Sequence, residues 1–197
     1  MKKLIAIAAL LISSVATFAQ QPVGSFSIQP KVGLNIASIT KADDTDPRFG
    51  LVAGAEFMYQ ASDMLGVSFG ALYSMQGCTG TTDELGKDVD VTLKLDYINI
   101  PILANVYVAP GFAVKLGLQP AFCINNKIKG KSGSTSVQTD GIFDENTFEL
   151  SMPIGLSYEF SNFVIEGRYN FGLTKAYKDV DSKNSVFQFT VGYKLPL

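Results

Sequence analysis

Histidine is absent from all 197 residues. That removes the commonest general base and the commonest transition-metal ligand, and no Ser-His or Asp-His pair can be assembled to activate a nucleophile or a water. The sequence is therefore read as that of a non-enzyme, with no catalytic residue, metal or cofactor assigned. Cysteine is scarce as well: Cys78 and Cys123 are the only two, too few for a disulfide-dense scaffold. Basic charge is in deficit, because without Lys2 and Lys3 the chain carries 14 basic against 18 acidic residues and has no basic patch. That balance argues against nucleic acid as a partner. Beyond Gln20 no stretch approaches the roughly 18 consecutive apolar residues of a spanning helix, although mean hydropathy is +0.20. Any insertion into a membrane must use strands.

The start of the chain has the three parts of a secretory signal: Met1-Lys2-Lys3, the apolar run Leu4 to Ile12, and a segment with Thr17 and Ala19 in the small-residue positions. Cleavage is expected after Ala19, and no cysteine follows the cut to accept a lipid. The expected organisation is a cleaved signal peptide over 1–19 and a single outer-membrane β-barrel domain over 20–197.

What the chain does have is alternation. Phe187, Phe189, Val191, Tyr193 and Leu195 alternate with Gln188, Thr190, Gly192 and Lys194, the period-2 pattern of a two-faced strand. The same pattern runs through Phe163 to Leu173, Phe148 to Phe160, Phe112 to Gln119 and Leu65 to Gln76, and less cleanly through Phe26 to Thr40 and Arg48 to Tyr59. In Val91 to Val108 the apolar phase slips near Tyr97-Ile98, which predicts a bulge. Eight strands result. Long connections are expected at Lys41 to Pro47, Thr79 to Asp90, Asn126 to Asn146 and Lys175 to Asn184. They alternate with short ones at Gln60 to Asp63, Ala109 to Gly111 and Ser161-Asn162. Short turns at one rim and long loops at the other mark an outer-membrane barrel with both termini at the short-turn, periplasmic rim. Tyr59, Tyr107, Tyr158 and Tyr193 are expected to form one aromatic girdle, and Phe49, Tyr97, Phe122, Phe148, Phe171 and Phe187 the other.

Alternation alone does not say which face is outward. A soluble, lipocalin-like ligand carrier would bury the apolar face and show water the other one, which holds Gly33, Asn35, Gly54, Gly66, Ser68, Gly70, Gly117, Gly155, Gly172 and Gly192. That face has only scattered charges, whereas about a quarter to a third of a soluble surface is charged. Turned inward, the same small residues suit a narrow lumen filled by side chains. The reading taken is an all-β, eight-stranded antiparallel transmembrane β-barrel, with the lipocalin-like carrier as an alternative.

Several stretches resemble the PorT-like outer-membrane β-barrel proteins: Pro30 to Ser38, Leu72 to Gly77, Leu95 to Leu103 (Leu-Asp-Tyr-Ile-Asn-Ile-Pro-Ile-Leu), and Gly155 to Glu159 with the strands after it. The likeness spans Ser25 to Leu195. It implies the same eight-stranded fold and, by analogy only, a second functional alternative, an accessory part of a protein-secretion system. One departure is the end, Lys194-Leu195-Pro196-Leu197, where a terminal aromatic is usual for recognition by the barrel-assembly machinery; Tyr193 is the nearest substitute.

With the faces assigned, Lys31, Glu56, Asp96, Lys115, Glu149, Glu159, Glu166, Arg168 and Lys194 fall in the lumen. Isolated buried charges are costly, so this mixed set is read as a structural network that plugs the barrel. Cys78 and Cys123 fall on strands two apart, roughly 10 Å by strand spacing and beyond bridging reach, so free thiols are expected. Asp43, Asp44, Asp46, Asp83, Glu84, Asp88 and Asp90 are oxygen donors of the calcium-binding type, but loop carboxylates are by default a solvated surface. The tract Gly130 to Ser136 reads as a flexible loop segment. The expected partners are outer-membrane lipid, the assembly machinery during biogenesis, and an envelope or extracellular protein meeting the long loops.

Overall fold

A computed structural model describes residues 21–40, 45–84, 87–132, 135–140, 147–175 and 183–197. The expected signal segment, Asp43 and Asp44 lie outside them. Among the described residues the elements are β1 (Phe26–Ile39), β2 (Thr45–Gln60), β3 (Leu65–Glu84), β4 (Lys87–Asn99), β5 (Ile102–Ala109), β6 (Phe112–Ser132), β7 (Thr135–Asp140), β8 (Phe148–Phe160), β9 (Phe163–Gly172), β10 (Asn184–Tyr193) and β11 (Leu195–Pro196).

Every pairing is antiparallel, and β1 closes onto β10 from Lys31 opposite Gly192 to Ile39 opposite Asn184. The result is a ring of eight staves, as expected from the alternation. One stave is β4 plus β5, interrupted at Ile100-Pro101, where proline has no N–H to give the ladder. Another is β10 plus β11, interrupted at Lys194, whose N–H donates to the Asn162 carbonyl (2.7 Å). β7 pairs with β6 and continues the line of β8 beyond the ring. Closure gives every stave two neighbours, so the backbone polar groups are satisfied within the sheet, a requirement for any β structure in hydrocarbon.

The two faces separate as the alternation requires. Outside stand Val32, Leu34, Leu51, Phe69, Leu116, Leu156, Ile165, Phe189 and Val191, all exposed. Inside stand Lys31, Asn35, Glu56, Ser68, Asn105, Lys115, Ser157, Glu166, Arg168, Gln188 and Thr190, all buried. Most of the large apolar side chains face outward, the reverse of a soluble carrier, so the carrier alternative is not favoured. The glycines on the inner face permit tight coiling: a Cβ on Gly33 would sit 1.9 Å from the Phe189 carbonyl oxygen, and one on Gly117 2.0 Å from that of Ile102.

Short connections close one rim. Pro110-Gly111 turns with Gly111 at φ 72°, the pattern of proline followed by a left-handed glycine. Ser161-Asn162 turns with Ser161 at φ 52°, a conformation that two-residue hairpins need at their first position. Both described ends meet at this rim, where the Leu197 N–H donates to the Phe26 carbonyl (2.9 Å).

The other rim differs from expectation. Thr79 to Asp90 does not leave the sheet: β3 and β4 stay paired from Cys78 opposite Leu93 to Glu84 opposite Lys87. β6 likewise runs to Ser132 and pairs with β7 from Lys127 opposite Asp140 to Ser132 opposite Thr135. The hydropathy alternation stops before the hydrogen-bond ladder does.

The bulge expected in Val91 to Val108 lies at the level of Tyr97 but on the neighbouring strand. The β4–β6 register shifts between Asp96 (opposite Asn125) and Tyr97 (opposite Cys123), so the extra residue is Ile124 on the partner strand. One girdle assignment is corrected: Tyr97, in phase with Leu95 and Asn99 and opposite Ser74, is fully buried and points into the lumen. Tyr107 is corrected likewise. Ile102, Val106 and Val108 are the exposed residues of β5, which sets Tyr107 inward. The remaining aromatics do form two belts. Phe26–Tyr59 (4.8 Å between centroids), Phe160–Phe163 (5.7 Å) and Phe163–Tyr193 (5.1 Å) lie by the short turns, and Phe122–Phe148 (5.6 Å) and Tyr169–Phe187 (4.4 Å) toward the other rim.

Candidate functional site

The lumen is layered. In the central layer Glu166 on β9 is the hub: its Oε2 lies 3.0 Å from Lys31 Nζ and 2.5 Å from Lys115 Nζ, and its Oε1 accepts from Arg168 Nε (2.5 Å). Arg168 Nη2 also reaches Glu166 and lies 2.7 Å from Glu56 Oε1, while Lys31 Nζ stands 2.9 Å from Glu56 Oε2. Five charged side chains from β1, β2, β6 and β9 thus share one network, and each is at most 4 % exposed. Register brings them together: Glu166 lies opposite Ser157 and Thr190, Arg168 opposite Gly155 and Gln188.

Nearer the short turns, Lys194 Nζ pairs with Glu159 Oε2 (2.5 Å), and Tyr107 donates its hydroxyl hydrogen to Glu159 Oε1 (2.8 Å). The same hydroxyl is 3.4 Å from Lys194 Nζ. Met58, Tyr107 and Ala113 pack as a small apolar cluster beside this pair.

The layer toward the long-connection rim is built differently. Ile39, Cys78, Leu95, Tyr97 and Ala121 form an apolar cluster inside the barrel, with Leu93 and Cys123 against it. Glu149 accepts from Asn184 Nδ2 at 2.9 and 2.8 Å, and the same nitrogen is 3.2 Å from the Tyr97 hydroxyl. Asp96 Oδ2 accepts from Asn125 Nδ2 (2.8 Å). A neutral amide, rather than a cation, holds Glu149, whereas Asp96 also faces the Arg48 guanidinium and the Tyr73 hydroxyl on the outer side of the wall.

All nine charges expected in the lumen are buried, but only eight face inward: Asp96, between the inward Leu95 and Tyr97 and opposite Met75, lies on the outer face of β4, which corrects its expected place. Lys31, Glu56, Lys115, Glu166 and Arg168 come together; Glu159 and Lys194 form a separate pair; Asp96 and Glu149 join neither. Sequence reasoning missed Tyr107, Tyr97, Asn125 and Asn184 as partners. For Asn184 a signal was present, since the alternation of Gln188 extends back through Val186 to Asn184. Cys78 and Cys123 are not disulfide-bonded; they lie opposite Leu93 and Tyr97 on β4, four residues apart. Among the described residues no group of three His, Cys, Asp or Glu is placed to hold a metal ion. Asp83, Glu84, Asp88 and Asp90 lie on described strands but their side chains do not belong to the described set, so the acidic loop group falls outside it. So do Gly133 and Ser134 of the glycine-serine tract.

The sequence profile of the family described as "Outer membrane protein beta-barrel domain" matches residues 18–178. Comparison with curated proteins finds no match. Among solved structures, the attachment invasion locus protein Ail of Yersinia pestis is similar at 17% identity over 88% of this chain and 100% of Ail (TM-score 0.48). Neisserial surface protein A is similar at 14% over 86% and 96% (TM-score 0.46), and OprG of Pseudomonas aeruginosa at 12% over 91% and 99% (TM-score 0.48).

Proposed function

The chain belongs to the outer membrane protein beta-barrel domain family and resides in the outer membrane of a Gram-negative cell; on that premise we propose that it is a closed surface anchor, not a pore. The polar network fills the lumen, and the strand hairpins beyond the lipid band meet an envelope or extracellular partner. The observation that carries this reading is the pairing of a charge-filled interior with sheet extensions at one rim. Eight staves enclose little more than side chains, so solute passage is disfavoured, whereas β3–β4 and β6–β7 project strand where lipid demands none.

The domain division follows the same reading: 1–19 removed on export, 20–197 inserted in lipid after delivery to the barrel-assembly machinery. Within the family, the stretches Leu72 to Gly77 and Leu95 to Leu103 support kinship with the PorT-like members. A secretion role is not adopted, because no feature of the lumen or rim favours it.

The test replaces Thr79–Asp90 or Asn126–Asn146 by a short turn and follows two readouts. Heat-dependent gel mobility of the detergent-extracted barrel is expected to survive, while cell adhesion or binding of surface ligands changes as in a full deletion. Loss of the mobility shift with the hairpins would show that they build the barrel rather than decorate it. Unchanged surface behaviour would remove the interaction role.

A further inference from the structure

The central layer does not balance. Lys31, Lys115 and Arg168 bring three positive charges, and Glu56 and Glu166 only two negative ones. The neighbouring Lys194–Glu159 pair is already neutral, Glu149 is held in another layer by Asn184, and Asp96 stands on the outer face of β4. One net charge in a buried interior is expensive. Neutralising a cation would relieve it only by weakening an existing pair, since each of the three lies within 3.0 Å of a carboxylate oxygen.

A second observation points to what completes the layer. Arg168 Nη1, Gln188 Nε2, Thr190 Oγ1 and Ser157 Oγ are buried and have no hydrogen-bond partner among the described residues. All four are able to donate. They belong to two successive inward rungs of β8, β9 and β10, Arg168 lying opposite Gln188 and Glu166 opposite both Thr190 and Ser157. Water would satisfy the hydroxyls and the amide but would leave the charge.

We infer that this layer binds one small monovalent anion, chloride in the cell envelope, beside the free edge of the Arg168 guanidinium, with Gln188, Thr190 and Ser157 as its neutral donors. A single surplus charge calls for a single negative one, and a lumen filled by side chains favours a halide over a larger oxyanion. The inference rests on the buried network of the closed-anchor reading but not on its surface role: a conducting barrel would sink that reading and leave the anion test unaffected.

The barrel is purified in detergent with sodium gluconate and titrated with sodium bromide at constant ionic strength, following the urea unfolding midpoint by far-UV circular dichroism. A saturable rise in midpoint is expected, since a ligand bound only by the folded state stabilises it. Crystals grown in bromide are expected to show an anomalous peak beside Arg168. Gln188→Glu places a carboxylate next to the guanidinium and is expected to abolish the bromide response while keeping the barrel folded. Should that variant fail to fold, Lys115→Met removes the surplus charge and is expected to abolish the response equally. Equal midpoints in gluconate and bromide with no peak would overturn the inference, leaving a neutral lysine as the source of balance. A response that persists in the folded variants would place the halide elsewhere and overturn it as well.

Discussion

Two layers of the lumen bury carboxylates in different ways. In the central layer Glu166 accepts from Lys31, Lys115 and Arg168, so its burial is offset by opposite charge. Toward the long-connection rim Glu149 is met by Asn184 and stands among Tyr97 and other apolar groups. The first arrangement is strong only as a set. Attraction between buried charges offsets their desolvation when every partner is present, and removing one exposes the remainder to the full cost. The second arrangement is a packed layer in which one carboxylate is accommodated by dipoles, so its stability comes from shape.

Changes on the two sides should therefore behave differently. Glu166→Ala, which leaves three cations with Glu56 alone, is expected to cost about 3–5 kcal/mol in the urea unfolding midpoint. Glu149→Gln keeps size and one acceptor and is expected to cost about 1 kcal/mol or less. Equal losses would erase the distinction. Leu95→Ala, cutting into the apolar layer, is expected to lose about 2–4 kcal/mol through the cavity it leaves, and double substitution with Arg168→Ala should be nearly additive because the two layers share no contact. Strong non-additivity in that cycle would mean the layers are one unit.

Smaller effects sharpen the boundary at the short-turn end. Tyr107→Phe removes a hydrogen bond to a charged acceptor, Glu159, and is expected to lower stability by about 1.5 kcal/mol, whereas Tyr59→Phe in the outer belt should change it little. Ser161→Gly relieves a left-handed residue at φ 52° and is expected to raise stability by about 0.5–1 kcal/mol, a gain independent of both lumen layers. A loss there would mean that the Ser161 side chain contributes more than its backbone costs.

The alternation of Phe187 to Leu195 and its counterparts made the staves, their faces and the buried charges legible in the sequence, because lipid and lumen impose opposite demands on neighbouring residues. Three features were not legible for physical reasons. The hydrogen-bond ladder continues through Thr79 to Glu84 without a hydropathy signal. Along β4 and β5 the inward positions run unbroken through Leu95, Tyr97, Leu103 and Tyr107, but the inner face is apolar at Leu93, Leu95 and Tyr97, so the apolar residues change face without a change of phase, which is why Tyr97 and Tyr107 read as belt residues and are lumen residues. The partners of each charge depend on stagger between staves far apart in sequence, 135 residues for Lys31 and Glu166, and period-2 reasoning carries no information about stagger.

The closed lumen is tested most directly by reconstituting the purified barrel in planar bilayers and recording current in molar potassium chloride. The charge-filled interior predicts no conducting steps from the wild-type barrel across the range of applied voltage, with heat-dependent mobility confirming that the reconstituted protein is folded. Regular, reproducible steps from the folded wild-type barrel would contradict it.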